Sequence, residues 1–175
     1  RRYDLLNRLL SLGLDVRWRR KLLSFVPEQA NLKLLDLATG TADVVIALVE
    51  NKSNIHSAIG IDMAQEMLKI GQEKVSRHNL GSRITLQEAD AGELPFQEAS
   101  FDLTTIAFGI RNMPDLRMAL MEMYRVLKPG GRSLILEFSM PENFSLRFGY
   151  LVYLRVIVPV VGFIFSGHYA AYKYL

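Results

Sequence analysis

The stretch Leu34-Leu35-Asp36-Leu37-Ala38-Thr39-Gly40-Thr41-Ala42-Asp43 decides the fold of this 175-residue chain. An apolar run ends in an acid. A tight turn with one glycine follows, and a second acid opens an amphipathic segment. That order reads as strand, turn and helix start, the crevice in which open α/β sheets bind ligands. A dinucleotide fingerprint wants glycines and no acid where the pyrophosphate meets the helix. Here its third glycine would fall at Asp43, whose carboxylate repels phosphate. The turn holds no lysine, which removes a Walker-type phosphate loop. Asp36 and Asp43 suit a ligand with a cationic end.

S-adenosylmethionine is such a ligand, with a sulfonium, an amino group and no phosphate. The flanking sequence supplies the rest of a sheet that could hold it. Residues 32–37 read as the first strand and 42–51 as the first helix. A second strand over 55–61 ends at Asp62, and a helix follows over 64–78 with Met67, Leu68, Ile70 and Val75 apolar. A third strand over 83–89 ends at Asp90, and a fourth runs over 101–108. A helix from near Pro114 through Leu127 is stopped by Pro129-Gly130-Gly131, and the fifth strand is 132–138. The alternation predicts an α/β fold, a Rossmann-like parallel sheet with helices on both faces and right-handed crossovers.

Ligands bind beyond the carboxyl ends of such strands, and three of these strands end in an acid. Asp62 can accept both ribose hydroxyls; the plainer reading is a turn aspartate. Thr41 can hold the methionyl carboxylate through its hydroxyl and N–H, or simply cap the helix. Gly40 permits close backbone approach. Met63 and Ala91 can flank the adenine while Asp90 accepts from its amine, though Met63 reads equally as core. The ordered set of turn, Asp62, Asp90 and fourth-strand tip points to a class I methyltransferase.

Half the residues are hydrophobic and 22% are charged, a globular composition with enough chain for one sizeable core. There is no cysteine, which excludes disulfides, thiolate catalysis and Cys-ligated zinc. His56, His78 and His168 stand far apart, so no metal site is expected. The net charge of +3 is uneven: residues 1–21 hold seven Arg or Lys against Asp4 and Asp15. That basic start is either a solvated helix face or a patch for anionic lipid. No basic–aromatic interleaving accompanies it, so nucleic acid is not an expected partner. Residues 148–165 are nearly all apolar but are broken by Arg155 and Pro159. They read as a buried or substrate-covering helix, with an interfacial element as the alternative to it and a true span disfavoured.

Three blocks make the resemblance specific. Tyr3-Asp4-Leu5-Leu6-Asn7-Arg8-Leu9-Leu10-Ser11, with Trp18 downstream, is the first. Ala107-Phe108-Gly109-Ile110-Arg111-Asn112 is the second. Arg125-Val126-Leu127-Lys128-Pro129-Gly130-Gly131 through Leu136-Glu137-Phe138-Ser139 is the third, and Tyr172 and Tyr174 match a weaker fourth. Together they resemble the UbiE/MenG quinone C-methyltransferases. The resemblance implies one methyltransferase domain over 1–175, with helical cover at 1–27, the sheet core at 32–139 and a helical substrate cover at 142–175. It also implies two further strands beyond Leu175; without them the sheet edge would be open to pairing, hence a possible homodimer. Four positions depart from the family pattern: Ala42 stands where glycine is usual, Ala107 where serine is common, Leu6 where methionine is usual and Asp15 where histidine is usual.

The implied reaction methylates a ring carbon of a reduced prenylated quinol, demethylmenaquinol to menaquinol in the leading reading. The cofactor positions implied are Thr41, Asp62, Asp90, Ala91 and Ala107. Arg111 would stabilise the phenolate, since a guanidinium is a poor base, and Asn112 would orient a water or the ring oxygen. The plainer reading of Arg111 is a salt bridge to a nearby acid. His168 and Tyr172 are candidate proton acceptors. The expected location is cytoplasmic, with peripheral contact at the inner face of the membrane where quinols reside. Two other functions stay open from sequence: another small-molecule methyltransferase, and a non-catalytic cofactor-binding scaffold of a quinone-synthesis complex.

Overall fold

β1 (Leu32–Leu37) is apolar on both sides apart from Lys33 and Asp36, as a central parallel strand must be. In the computed structural model it lies in the middle of a five-stranded sheet of order β3-β2-β1-β4-β5, every pair parallel. The structure describes residues 14–137, 143–144 and 147–149. The Tyr3–Ser11 block, nearly all of the apolar stretch over 148–165, and His168, Tyr172 and Tyr174 lie outside the described residues. Two compact units divide the chain, Trp18–Glu137 and Arg1–Arg17 with Phe138–Leu175, and the first carries the sheet.

The element order is α1 (Leu14–Leu23), β1, α2 (Asp43–Asn51), β2 (Ile55–Asp62), α3 (Gln65–Arg77), β3 (Ile84–Glu88), β4 (Phe101–Ala107), α4 (Leu116–Val126) and β5 (Leu127–Leu136). A single 3₁₀ turn, Ile110–Asn112, follows β4. Side chains of β1 alternate between two cores. Leu32 and Leu34 join Val45, Ile46, Leu48 and Val49 of α2 and Val75 of α3. Leu35 and Leu37 join Ala119, Met123 and Val126 of α4. Helices therefore cover both faces, as the α/β reading expects. Leu68, Gly71 and Val75 form the buried stripe of α3, and Ala119, Met123 and Val126 that of α4, both at helical spacing. Asp115 caps α4 by accepting from the Met118 N–H at 3.0 Å.

One boundary differs from the sequence reading. Pro129-Gly130-Gly131 does not separate α4 from a strand starting at 132: β5 begins at Leu127, directly after the helix. Leu127 pairs with Phe101 and Arg132 with Leu103, so the extra residues bulge out between these pairs. Gly130 turns the bulge with a φ of 80°. The Lys128 ammonium bridges both oxygens of Asp102 at 2.8 and 2.9 Å and fixes it against β4. Turn residues here bend a strand instead of ending it.

Candidate functional site

The carboxyl ends of β1, β2 and β4 meet around the 38–43 turn. Ala38, Gly40 and Ala42 all have left-handed backbone, with φ of 49°, 55° and 66°. Three glycines elsewhere make room for this knot: a Cβ on Gly60 of β2 would stand 2.8 Å from Thr39 Oγ1. A Cβ on Gly109 would stand 2.5 Å from the Ala38 Cβ, and one on Gly71 of α3 would stand 3.3 Å from that of Ala42.

Asp36 is buried, and its carboxylate serves the turn from below. It accepts from the hydroxyls of Thr39 at 2.7 Å and Thr105 at 2.5 Å, one on each oxygen. Burial pushes its pKa up to about 6; the two hydroxyls pull it down and the nearby Asp62 adds to the rise. Asp62, half-buried at the end of β2, accepts from the Gly40 N–H at 2.8 Å and the Ala64 N–H at 2.9 Å. Backbone donors thereby fix the orientation of its carboxylate, while the second lone pairs of both oxygens stay chemically suited to hydroxyl donors. Asp90, exposed, accepts from the Gly92 N–H at 2.8 Å. Met63 is 62% exposed beside Asp62, so it is no core residue. Ala91 is buried in the second core, where it can offer a ligand its backbone and little else. Ala107 closes β4 opposite Leu136.

Thr41 and Asp43 share a partner that sequence reading missed. The Lys74 ammonium of α3 donates to Thr41 Oγ1 at 2.7 Å and to Asp43 Oδ1 at 2.8 Å. Asp43 is thus ion-paired, and the anionic turn inferred from Asp36 and Asp43 is one buried acid and one neutralised acid. The carboxylates that face outward are Asp62 and Asp90. Lys74 carries no local motif; only the β2–α3 crossover brings it 33 residues back to Thr41.

Past β4, Phe108 has a φ of 57° and stacks at a tilt on Trp18, ring centroids 6.1 Å apart. The 3₁₀ turn then presents Arg111 and exposed Asn112. Arg111 Nη1 donates to Glu137 Oε1 at 2.7 Å, so the plainer expectation of a salt bridge holds. Its guanidinium side is still 40% exposed and Glu137 stands just past β5, so the pair lies at the same edge of the sheet as the acids. Among the described residues no group of three or more His, Asp or Glu converges as a metal requires.

The close-packed turn, the acids Asp62 and Asp90 at neighbouring strand ends and the Arg111-Asn112 turn after β4 lie along one edge of the sheet. The ubiE/COQ5 methyltransferase family matches over residues 1–175. The chain belongs to this family. It is 45% identical over 174 residues to the ubiquinone/menaquinone biosynthesis C-methyltransferase UbiE of Geotalea daltonii, covering 99% of this chain and 74% of the relative. It is 46% identical to the demethylmenaquinone methyltransferase of Thermus thermophilus, covering 99% and 78%. Among solved structures, the YcgJ protein of Bacillus subtilis matches with a TM-score of 0.66 at 25% identity, over 80% of this chain and 59% of that one. A putative methyltransferase of Bacillus halodurans matches with a TM-score of 0.66 at 26% identity, over 80% and 60%. The five-stranded parallel sheet with helices on both faces is the S-adenosylmethionine-dependent methyltransferase fold.

Proposed function

We propose that this chain transfers a methyl group from S-adenosylmethionine to a ring carbon of a reduced prenylated quinol, with demethylmenaquinol as acceptor. The observation that carries the reading is the family match across residues 1–175, with relatives at 45% and 46% identity named as a ubiquinone/menaquinone biosynthesis C-methyltransferase and a demethylmenaquinone methyltransferase. The site chemistry fits the cofactor. Among the described residues, a Cβ on Gly40 would meet the Met67 terminal methyl at 3.6 Å, ordinary van der Waals contact. Thr41 with Lys74 behind it suits a carboxylate, Asp62 suits vicinal hydroxyls, and Asp90 with exposed Met63 suits an adenine amine and face. Asp36 acts through the turn it braces.

When bound, the cofactor supplies an electrophilic methyl on sulfur. The residues around it must raise the nucleophilicity of a ring carbon. Loss of the quinol hydroxyl proton puts electron density on the adjacent carbon, and Arg111 favours that phenolate by charge. The Glu137 contact holds the guanidinium in place. The new C–C bond forms as the C–S bond breaks, and the ring hydrogen leaves as a proton to restore aromaticity. Asn112 positions the oxygen or the water that accepts a proton. Alignment of carbon and methyl at about 3–3.5 Å is the main demand on the site.

The test is transfer of labelled methyl to reduced demethylmenaquinol, to a demethoxy-benzoquinol precursor and to simple phenols. Preference for the naphthoquinol supports the reading. Turnover of phenols alone, or cofactor binding without turnover, sinks it. Among the described residues no helix is long and apolar enough to cross a membrane. The basic residues 1–21 would bring the protein to the acceptor by docking on anionic lipid. Sedimentation with anionic and neutral vesicles tests this; equal binding to both rejects it.

A further inference from the structure

Asp36 is a buried acid at the carboxyl end of β1, and among the described residues no ammonium or guanidinium pairs with it. Hydroxyls alone hold its two oxygens, Thr39 from the turn and Thr105 from β4. Among the described residues the one charged group that acts on it is Asp62, from the end of β2, and that charge is of the same sign. A buried carboxylate without a counter-charge is costly to keep ionised. We propose that the cationic end of the cofactor supplies this counter-charge, so that binding at the turn is coupled to loss of a proton from Asp36. The inference rests on the S-adenosylmethionine reading.

The coupling is built into the hydrogen bonds. An ionised Asp36 accepts from both hydroxyls, whereas a protonated carboxyl carries a donor of its own. One threonine hydroxyl must then turn round and accept, or lose its bond. Thr39 has little room to adjust. Its side chain is pressed against Gly60, and its N–H donates to the Ile61 carbonyl at 2.9 Å. The next residue, Gly40, donates its N–H to Asp62 at 2.8 Å. One dipeptide of the turn is thus held between two acids, Thr39 on Asp36 and Gly40 on Asp62. Burial raises the pKa of Asp36 to about 6 against the pull of both hydroxyls, so both forms are populated near that pH. A cation brought to the turn favours the ionised form, and by linkage the ionised form favours the cation.

Calorimetric titration between about pH 5 and 7 tests this by comparing S-adenosylmethionine with methylthioadenosine, which keeps the nucleoside and a thioether but carries neither cation. For one group with a pKa of about 6, the affinity for S-adenosylmethionine is expected to fall about tenfold from pH 7 to pH 5. About half a proton should leave per cofactor bound at pH 6, read by repeating the titration in buffers of different ionisation heat. Methylthioadenosine should show neither effect. Asp36→Asn, fixed in a neutral form, should bind S-adenosylmethionine with a flat profile. Thr105→Val removes a hydroxyl that lowers the pKa, so its midpoint should move to higher pH; it reads the same linkage should Asp36→Asn not fold. A flat wild-type profile, equal slopes for both ligands, a slope that persists in Asp36→Asn or a midpoint unmoved in Thr105→Val overturns the inference and leaves the cofactor reading intact. Failure of the wild-type chain to bind S-adenosylmethionine at any pH overturns the cofactor reading and the inference with it.

Discussion

At the scale of single residues, Arg111 and Gly109 carry separable demands. Arg111→Ala removes the only charge proposed for the phenolate, and kcat is expected to fall by about 10² to 10³. The KM for the cofactor should hold, because the side chain serves the acceptor. A rise in cofactor KM with unchanged kcat would reassign Arg111 to binding. Gly109→Ala puts a methyl 2.5 Å from Ala38, in a turn already held at a φ of 49°. Overpacking of this kind costs about 1–3 kcal/mol, read as a lower urea midpoint at an unchanged slope. The sequence named most of these residues, yet their roles were partly hidden. Asp36 and Asp43 look alike as acids flanking one turn. Only the buried hydroxyls of Thr39 and Thr105 and the distant Lys74 separate a brace from an ion pair. Contacts between residues tens of positions apart leave no local pattern to read.

Elements were more legible, because each strand and helix announces itself by a period. β1 falls where the apolar run predicts it, and α3 and α4 differ from expectation by about a turn or less. β5 begins earlier than expected because a glycine pair can serve a bulge as well as a stop. Less visible was what pins the 91–100 segment to α4. Arg125 donates from Nη1 to the Phe96 carbonyl at 2.8 Å and from Nη2 to the Leu94 carbonyl at 3.1 Å. Its neighbour Glu122 accepts from the Leu94 N–H at 2.7 Å, while Arg125 Nε donates to Glu122 at 2.6 Å. This clip anchors the segment that follows Asp90 and Ala91. Arg125→Ala is expected to destabilise the fold by roughly 1–3 kcal/mol and to speed amide exchange at Leu94 and Phe96. Exchange that stays at the wild-type rate there would reject the clip.

For the whole molecule, three carboxylates set opposing slopes of stability against pH. Burial lifts Asp36 from 3.8 to about 6 in the folded state. The folded state therefore binds the extra proton, and stability is full below the unfolded pKa and declines as pH rises through about 6. The Arg125 contact holds Glu122 below its usual value. Burial raises Asp102, but the Lys128 ammonium and the Lys33 N–H outweigh that and leave it lowered. These two acids add stability above their unfolded pKa values that is lost as pH falls through the folded ones. Thermal melts should therefore crest between the two regimes. Asp36→Asn keeps a hydrogen-bonding side chain and removes the charge, so its melts should lose the decline between about pH 4 and 6. A decline as steep as wild type would place the proton elsewhere.

Trp18 is the sole tryptophan of the chain, and its ring rests on Phe108, the residue between the end of β4 and the Arg111 turn. The molecule thus carries a single tryptophan at the hinge of its proposed catalytic loop, and excitation beyond the absorption of its seven tyrosines reads that ring alone. Any shift of that loop as an acceptor arrives must change the emission, so stopped-flow mixing can time the movement without a label. Phe108→Leu should blunt the signal while the tryptophan stays in place.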